Sequence, residues 1–219
     1  EKLFILEQQS DLQDEFLKME DGKIKEQFEK KQKKTKKIDI TKYILKRILD
    51  IFFILIFSVI LLPVAIITYS YILIISGFPA IIKQTRVGLH GNNFNMYKYR
   101  TMEINSHVER EDLSDLNEHS GPLFKINDDP RIINGAKFLR KFSIDEIPQI
   151  INVIKGEMSL VGPRPLFPED NAYFDENYMR RLNVYPGITG LLQINERNTD
   201  DFEVWYKYDL EYIENWSLF

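Results

Sequence analysis

Residues 51–67 leave few folds open. All are apolar or proline except Ser58, and Ile72–Ile82 continues the run with only Ser76 and Gly77 as weak interruptions. A helix that is apolar on every side has no face to turn to water, so it is either enclosed by protein or sits in lipid. The rest of the chain carries apolar residues enough for one small core. A membrane helix needs about 20 apolar residues, and this run supplies them. It therefore reads as a membrane segment.

The flanks qualify that reading. Lys42, Lys46 and Arg47 precede the run, and Lys83, Arg86, Lys98 and Arg100 follow it. Positive charge marks the cytoplasmic side of a membrane, and here it stands at both ends. Pro63 lies near the middle, where it removes a helical hydrogen bond and favours a kink. Together these features predict a helix that enters the bilayer, bends at Pro63 and leaves on the same face. A plain span that tolerates its proline is the alternative. Just upstream, Lys30–Arg47 holds eight lysines, one arginine and only Asp39 as an acid. Such a run is either a solvated linker or a patch for anionic lipid, worth about 1 kcal/mol per lysine.

The chain thus divides into a charged amphipathic arm at 1–45, a membrane-inserted segment at 46–82 and a water-compatible domain at 83–219. In the arm, Leu12, Phe16, Met19, Ile24 and Phe28 recur at roughly helical spacing, with Asp21-Gly22 as a break. The domain has glycine and proline turns at Val87-Gly88, Gly91-Asn92 and Pro186-Gly187, and a β-rich piece at Phe94–Tyr99. The expected class is α+β, predominantly helical. Glu1 in place of a methionine suggests a fragment or a processed form. The absence of cysteine from all 219 residues excludes disulfides, thiolate metal sites and a cysteine nucleophile. A net charge of −4 argues against nucleic acid as a partner. His90, His107 and His119 lack metal-ligand spacing and read as surface residues. No glycine fingerprint for phosphate and no Gly-x-Ser-x-Gly elbow is present.

The chemistry-bearing stretch is Lys141-Phe-Ser-Ile-Asp-Glu-Ile-Pro-Gln149. Ser143 followed three residues later by Glu146 has the form of a capping box. Ile147, Ile150, Ile151 and Ile154 would give the helix its buried face, and Gly156 would end it. Asp145 and Glu146 would then sit at the positive end of a helix dipole, which favours ionised carboxylates and attracts phosphate. An ionised aspartate there can attack phosphorus, and the adjacent glutamate can hold Mg²⁺ against a diphosphate. Two ordinary first-turn acids would look the same. Arg140 lies just upstream. Arg164 is held between Pro163 and Pro165, a stiff mount that suits bidentate phosphate binding. Arg197 offers a third guanidinium. Lys98 and Arg100 face either substrate phosphate or lipid headgroups.

Taken in order, these pieces resemble the bacterial sugar transferases, the monotopic phosphoglycosyl transferases. The matching residues are Lys46-Arg-Ile-Leu-Asp50, Pro63, Gln84-x-Arg-x-Gly88 and Tyr97-Lys-Tyr-Arg-Thr-Met102. They continue through Leu139-Arg-x-x-x-x-Asp-Glu-x-Pro148 and Asn152-Val-x-x-Gly-x-Met-Ser-x-Val-Gly-Pro-Arg-Pro165 to Pro186-Gly-Ile-Thr-Gly190, Gln193, Asn195 and Arg197. Each piece alone is weak; the ordered set, covering about residues 46–219, is specific. Leu62 stands before Pro63 where the family often has serine, and Glu196 precedes Arg197 where a small residue is common. Relatives usually continue beyond the position of Phe219, so a membrane-associated tail is expected to be missing here.

The resemblance implies transfer of a sugar-1-phosphate from a UDP-sugar to polyprenyl phosphate, undecaprenyl phosphate in bacteria, with release of UMP and with Mg²⁺ as cofactor. It implies a re-entrant helix at the cytoplasmic face of the bacterial inner membrane, at the start of glycoconjugate assembly. By that analogy Asp145 is the nucleophile of a covalent phosphosugar intermediate, and Glu146, with Asp145, binds the metal or assists proton transfer. Arg140, Arg164 and Arg197 hold the diphosphate, with Pro163 shaping the loop. A non-catalytic membrane adaptor of the same fold is the rival reading. The amphipathic arm leaves room for a homodimer, and nothing in the sequence names the sugar.

Overall fold

The computed structural model describes residues 22–24, 26, 40–104, 106, 126, 129–173, 176–196, 199 and 201–215. They form a mostly helical structure with two small two-stranded sheets. The apolar run lies within one 37-residue helix, α1 (Ile40–Ser76), with Pro63 inside it. Phe53, Leu55, Val59, Ile60, Ile66 and Ile67 are all exposed on it. Of its most apolar 18-residue window only 11% is buried. Among the described residues nothing covers this stretch, so α1 is a candidate membrane segment by length, composition and exposure together.

Both ends of α1 rest on the rest of the protein. Near its start, Arg47 donates to the carbonyls of Val153 and Ile154. Asp50 accepts from Ser159 Oγ at 2.7 Å, and Ile54 packs with Phe94, Met96, Val153 and Met158. Near its end, Tyr99 donates its hydroxyl to Ala65 O at 2.7 Å, and Ile72 packs with Ala80, Tyr99 and Leu139. Arg100 donates to the carbonyls of Ser76, Gly77 and Phe78. The last carbonyls of a helix lack partners within it, so Arg100 closes α1 as Arg47 closes the helix that follows the Asp-Glu pair. The flanking cations are therefore largely internal. Arg86 and Arg100 are buried, Lys98 is paired with Glu146, and only Lys42 and Lys83 of the set stand exposed.

Strands β1 (Ile81–Val87) and β2 (Asn93–Tyr99) form an antiparallel pair in which Ile81 faces Tyr99 and Val87 faces Asn93. The turn between them holds His90 at φ 57°. His90 is half-buried rather than on the surface, and His107 and His119 lie outside the described residues. Helix α2 (Lys137–Lys141) leads into a 3₁₀ turn, Ile144–Glu146, and then into α3 (Gln149–Lys155).

The capping box does not form. Ser143 adopts a left-handed conformation, φ 55°, and makes no cap hydrogen bond; α3 begins only after Pro148. Glu146 does not reach back because cations elsewhere hold it. The buried face of α3 also differs from the expected isoleucine stripe. Gln149, Asn152 and Val153 are buried, whereas Ile151 and Ile154 are 42% and 56% exposed. Asn152 decides this orientation: its Oδ1 accepts from Tyr97 N at 3.0 Å and its Nδ2 donates to Asn95 O at 2.7 Å. A buried backbone group left unpaired costs about 1–3 kcal/mol, so the side chain that satisfies β2 faces inward. Gly156 ends α3 in the left-handed region, as expected.

Strands β3 (Ser159–Val161) and β4 (Gly187–Thr189) pair in parallel, so Pro186-Gly187 opens a strand rather than forming a free turn. Gly187 is required there, because a Cβ on it would meet Gly162 N at 2.1 Å. The remaining helices are α4 (Glu176–Arg181), α5 (Leu191–Asn195) and α6 (Phe202–Asn215). Around them lies a core of Val87, Leu166, Met179, Leu182, Leu192, Trp205 and Tyr206. Residues 22–24 are helical, and Ile24 joins this core at 1% exposure. Gly22 is thus helical where a break was expected; most of the arm lies outside the described residues.

Candidate active site

Three elements remote in sequence converge at the Asp-Glu pair. The 3₁₀ turn presents Glu146, the end of β2 presents Lys98, and the loop after β3 presents Arg164. Glu146 Oε1 accepts from Lys98 Nζ at 2.8 Å and from Arg164 Nη2 at 3.0 Å. Burial opposes ionisation of Glu146, but Arg164 and Lys98 more than offset it and hold the carboxyl well below the usual carboxylate range. Arg164 in turn is held charged by Glu146. Burial lowers the Lys98 ammonium, and Glu146 resists that shift.

Asp145 is the opposite case. It is 6% exposed, and among the described residues its carboxylate takes no hydrogen bond. Burial pushes its carboxyl up; Lys98, Arg140 and Arg164 pull it back, and Glu146 adds to the rise. The two neighbours are therefore differentiated by environment, one locked by hydrogen-bonded cations and one buried without a hydrogen bond among the described residues. A carboxylate desolvated in this way is reactive toward an electrophile brought to it, and the surrounding cations favour an electrophile that is anionic.

The sequence pattern of bacterial sugar transferases matches residues 41–219. The chain belongs to that family. It is 41% identical over 180 residues to the uncharacterized sugar transferase EpsL of Bacillus subtilis, covering 80% of this chain and 81% of that one. It is 47% identical over 143 residues to the galactosyl transferase CpsE of Streptococcus agalactiae, covering 65% of this chain and 32% of that one. Similarity also extends to the UDP-glucose:undecaprenyl-phosphate glucose-1-phosphate transferase of Xanthomonas campestris, 38% identical over 149 residues, 64% of this chain and 28% of the other. The chain thus spans about a third or less of the length of these last two relatives. With the uncovered face of α1, membership makes this sugar transferase a membrane-associated protein.

The other site residues named from sequence fall unequally around the pair in this sugar transferase. Arg140 is exposed, with Nη1 3.4 Å from Thr101 Oγ1, and its charge reaches Asp145. Pro163 is buried, and its carbonyl accepts from Gly187 N at 2.9 Å. Arg100 closes α1 instead of joining the pair, Pro63 lies in the exposed stretch of α1, and Arg197 lies outside the described residues.

Arg86 was not singled out as a site residue, yet the structure brings it close. Its guanidinium stacks on Phe167, 3.2 Å from the ring centroid, and donates to Pro165 O at 3.2 Å. Burial, then the charge of Arg164, disfavours its own charge, while Asp170 and Glu169 support it. The available signal was its place in the motif Gln84-x-Arg-x-Gly88.

A divalent cation would find donors here. Both cations land on Oε1 of Glu146, so its Oε2 and the carboxylate of Asp145 keep lone pairs without protein partners among the described residues. Magnesium is ordinarily held by one or two carboxylates together with substrate phosphates. Among the described residues no three His, Asp or Glu side chains gather into a cage, so substrate oxygens would have to complete the coordination.

Proposed function

We propose that this sugar transferase moves a sugar-1-phosphate from a UDP-sugar to polyprenyl phosphate by two displacements at Asp145. What carries this reading is the unpartnered, buried carboxylate of Asp145 beside the Lys98–Glu146–Arg164 ion cluster. In the first displacement an Asp145 oxygen attacks the β-phosphorus of the donor. The bond from that phosphorus to the bridging oxygen breaks, and UMP leaves with the electron pair. In the second, a phosphate oxygen of the polyprenyl acceptor attacks the same phosphorus. The bond to Asp145 breaks, the carboxylate is restored, and the product is a polyprenyl diphosphate sugar. The names of relatives that use undecaprenyl phosphate support this acceptor.

Each neighbouring residue has a part in this scheme. Arg164 and Arg140 receive the donor diphosphate, with Arg197 as a further ligand, and Lys98 keeps Glu146 ionised and fixed in place. Asp145 and Glu146 Oε2 would hold Mg²⁺, which when bound supplies neutralisation of phosphate charge. Burial around Asp145 keeps water from competing for the phosphosugar ester.

The chemistry belongs at the cytoplasmic face, on a re-entrant α1. Two contacts support that topology. Ile54 is in the core cluster of β2 and α3, and Ala65 accepts a hydrogen bond from Tyr99. Only residues 55–64 lie between those anchors, about 15 Å of helix, half the thickness of a hydrocarbon core. That both anchors of so short a stretch lie on one domain supports a helix that returns to the face it entered.

The test uses the purified full chain with Mg²⁺, undecaprenyl phosphate and a panel of UDP-sugars. UMP release with at least one donor is expected, as is a phosphosugar adduct on Asp145 when the acceptor is withheld. Absence of UMP with every donor would overturn the reading.

A further inference from the structure

The loop that carries Arg164 is held in an unusual way. Pro163 and Pro165 have no backbone N–H, so two of its residues bring no backbone donor to the loop. Its carbonyls are taken one after another by other elements. Val161 O accepts from the Tyr212 hydroxyl at 2.9 Å. Pro163 O accepts from Gly187 N at 2.9 Å and Leu166 O from Val87 N at 3.0 Å. Pro165 O accepts from Arg86 Nη1 at 3.2 Å. Arg164 O itself accepts from Arg181 Nη2 at 2.8 Å. That same Arg181 nitrogen lies 2.8 Å from Asp209 Oδ2.

The last of these contacts acts on the residue whose side chain meets Glu146, and its donor is itself paired with a carboxylate. Arg181 and Asp209 are 4% and 7% exposed, so their geometry is protected from solvent and held firmly. Arg181 ends α4 and Asp209 lies in the middle of α6. Tyr212, one turn further along α6, grips Val161 at the start of the same loop. Two successive turns of α6 thus act on the Arg164 mount, one directly at Val161 and one through Arg181 at Arg164 itself, although neither Arg181 nor Asp209 is hydrogen-bonded or ion-paired to Glu146.

We propose that Arg181 is a positioning residue, braced by Asp209, that sets the Arg164 guanidinium against Glu146 and the donor diphosphate. The proposal deepens the transferase reading, and its role for the diphosphate rests on that reading. Without the brace the loop keeps its other four carbonyl contacts. The protein should therefore still fold, but Arg164 should lose its register.

The test compares the full chain with two variants, Arg181→Gln and the neutral pair Arg181→Gln with Asp209→Asn. The second avoids leaving Asp209 buried without a cation, so it serves if the first fails to fold. Hydrogen exchange in lipid nanodiscs is read first, because it needs no activity. Amides of residues 159–167 should exchange about 10-fold faster in the variants, with α3 and the β1–β2 hairpin unchanged. Uniform acceleration across the domain, or none at all, would overturn the proposal.

The second reading is a double-mutant cycle on kcat/KM for the UDP-sugar, combining Arg181→Gln with Arg164→Gln. If Arg181 acts through Arg164, its variant should lower kcat/KM about 10-fold in the wild-type background and scarcely at all once Arg164 is gone. Multiplying effects would sink the link. Faster exchange of the loop in a protein that releases no UMP would keep the positioning role and reject the transferase reading instead.

Discussion

Asp145 and Glu146 are adjacent in the chain and opposite in environment. Glu146 accepts Lys98 and Arg164 on one oxygen at 2.8 and 3.0 Å, while Asp145, the more buried of the two, accepts no hydrogen bond among the described residues. Two carboxylates whose surroundings push them apart take different roles. The partnered one organises charge, and the unpartnered one is left able to react.

Asp145→Asn should remove catalysis without removing the fold. Turnover is expected to fall by at least about 1,000-fold, the scale seen when a nucleophile is deleted, and the phosphosugar adduct should vanish. Thermal unfolding should shift little, and upward if at all, because an uncharged amide replaces a charge whose burial outweighs the pull of Lys98, Arg140 and Arg164. Adduct mass and melting temperature, measured on the same sample, check both halves.

Arg164→Ala and Arg100→Ala should fail differently. Loss of Arg164 should lower kcat/KM for the donor by about 100-fold, as for removal of one electrostatic ligand, with a modest loss of stability because Lys98 still pairs with Glu146. Loss of Arg100 leaves the carbonyls of Ser76, Gly77 and Phe78 without their donor and should cost about 2–4 kcal/mol of stability. Donor KM of whatever Arg100 variant remains folded should be near normal. Denaturant melts set beside donor titrations separate the two.

Asn152→Leu keeps the heavy-atom branching of the side chain and removes three hydrogen bonds, to Tyr97 N, Asn95 O and Glu157 Oε2. About 1–3 kcal/mol should be lost, since part-buried backbone groups of β2 lose their partner. Because β2 carries Lys98, activity should fall along with stability. Unchanged unfolding in this variant would mean that Asn152 does not orient α3.

Stability should fall in acid, and Glu146 should account for part of the fall. Its folded carboxyl binds a proton more weakly than an unfolded glutamate does. Its ion pairs therefore stabilise fully above the ordinary value of 4.5, and that contribution is lost as the pH drops below it. Asp145 acts the other way. Its raised carboxyl favours the folded state below the ordinary value of 3.8, and that effect is lost as the pH rises through its folded value. Glu146→Gln should flatten the stability profile between about pH 5 and pH 3, measured by urea unfolding.

Topology is open to direct labelling because the chain has no cysteine. Single cysteines at the exposed positions Lys42, in the first turn of α1, and Lys83, in β1 just after it, should both react with an impermeant maleimide from the cytoplasmic side. Reaction of the two from opposite sides would mean a span.

Much of this was legible in the chain alone. The long apolar stretch read as a membrane segment because no face of it is polar, and in the structure it is a candidate membrane helix. Phe94–Tyr99 read as a strand from its composition, Gly156 as the end of α3, and the ordered motifs gave the family. These are local properties, carried by neighbours along the backbone. Which charges meet was not local. Lys98, Glu146 and Arg164 are joined only when the β1–β2 hairpin, the 3₁₀ turn and the loop after β3 pack together. The same packing turns Arg86 and Arg100 inward, from positions that read as membrane flanks. It exposes Ile151 and Ile154 because the backbone of β2 needed Asn152. Spacing along a sequence records which side chains share a face; it does not record which face a neighbouring strand with unpaired amides will claim, and here that requirement decided how α3 sits beside the Asp-Glu pair.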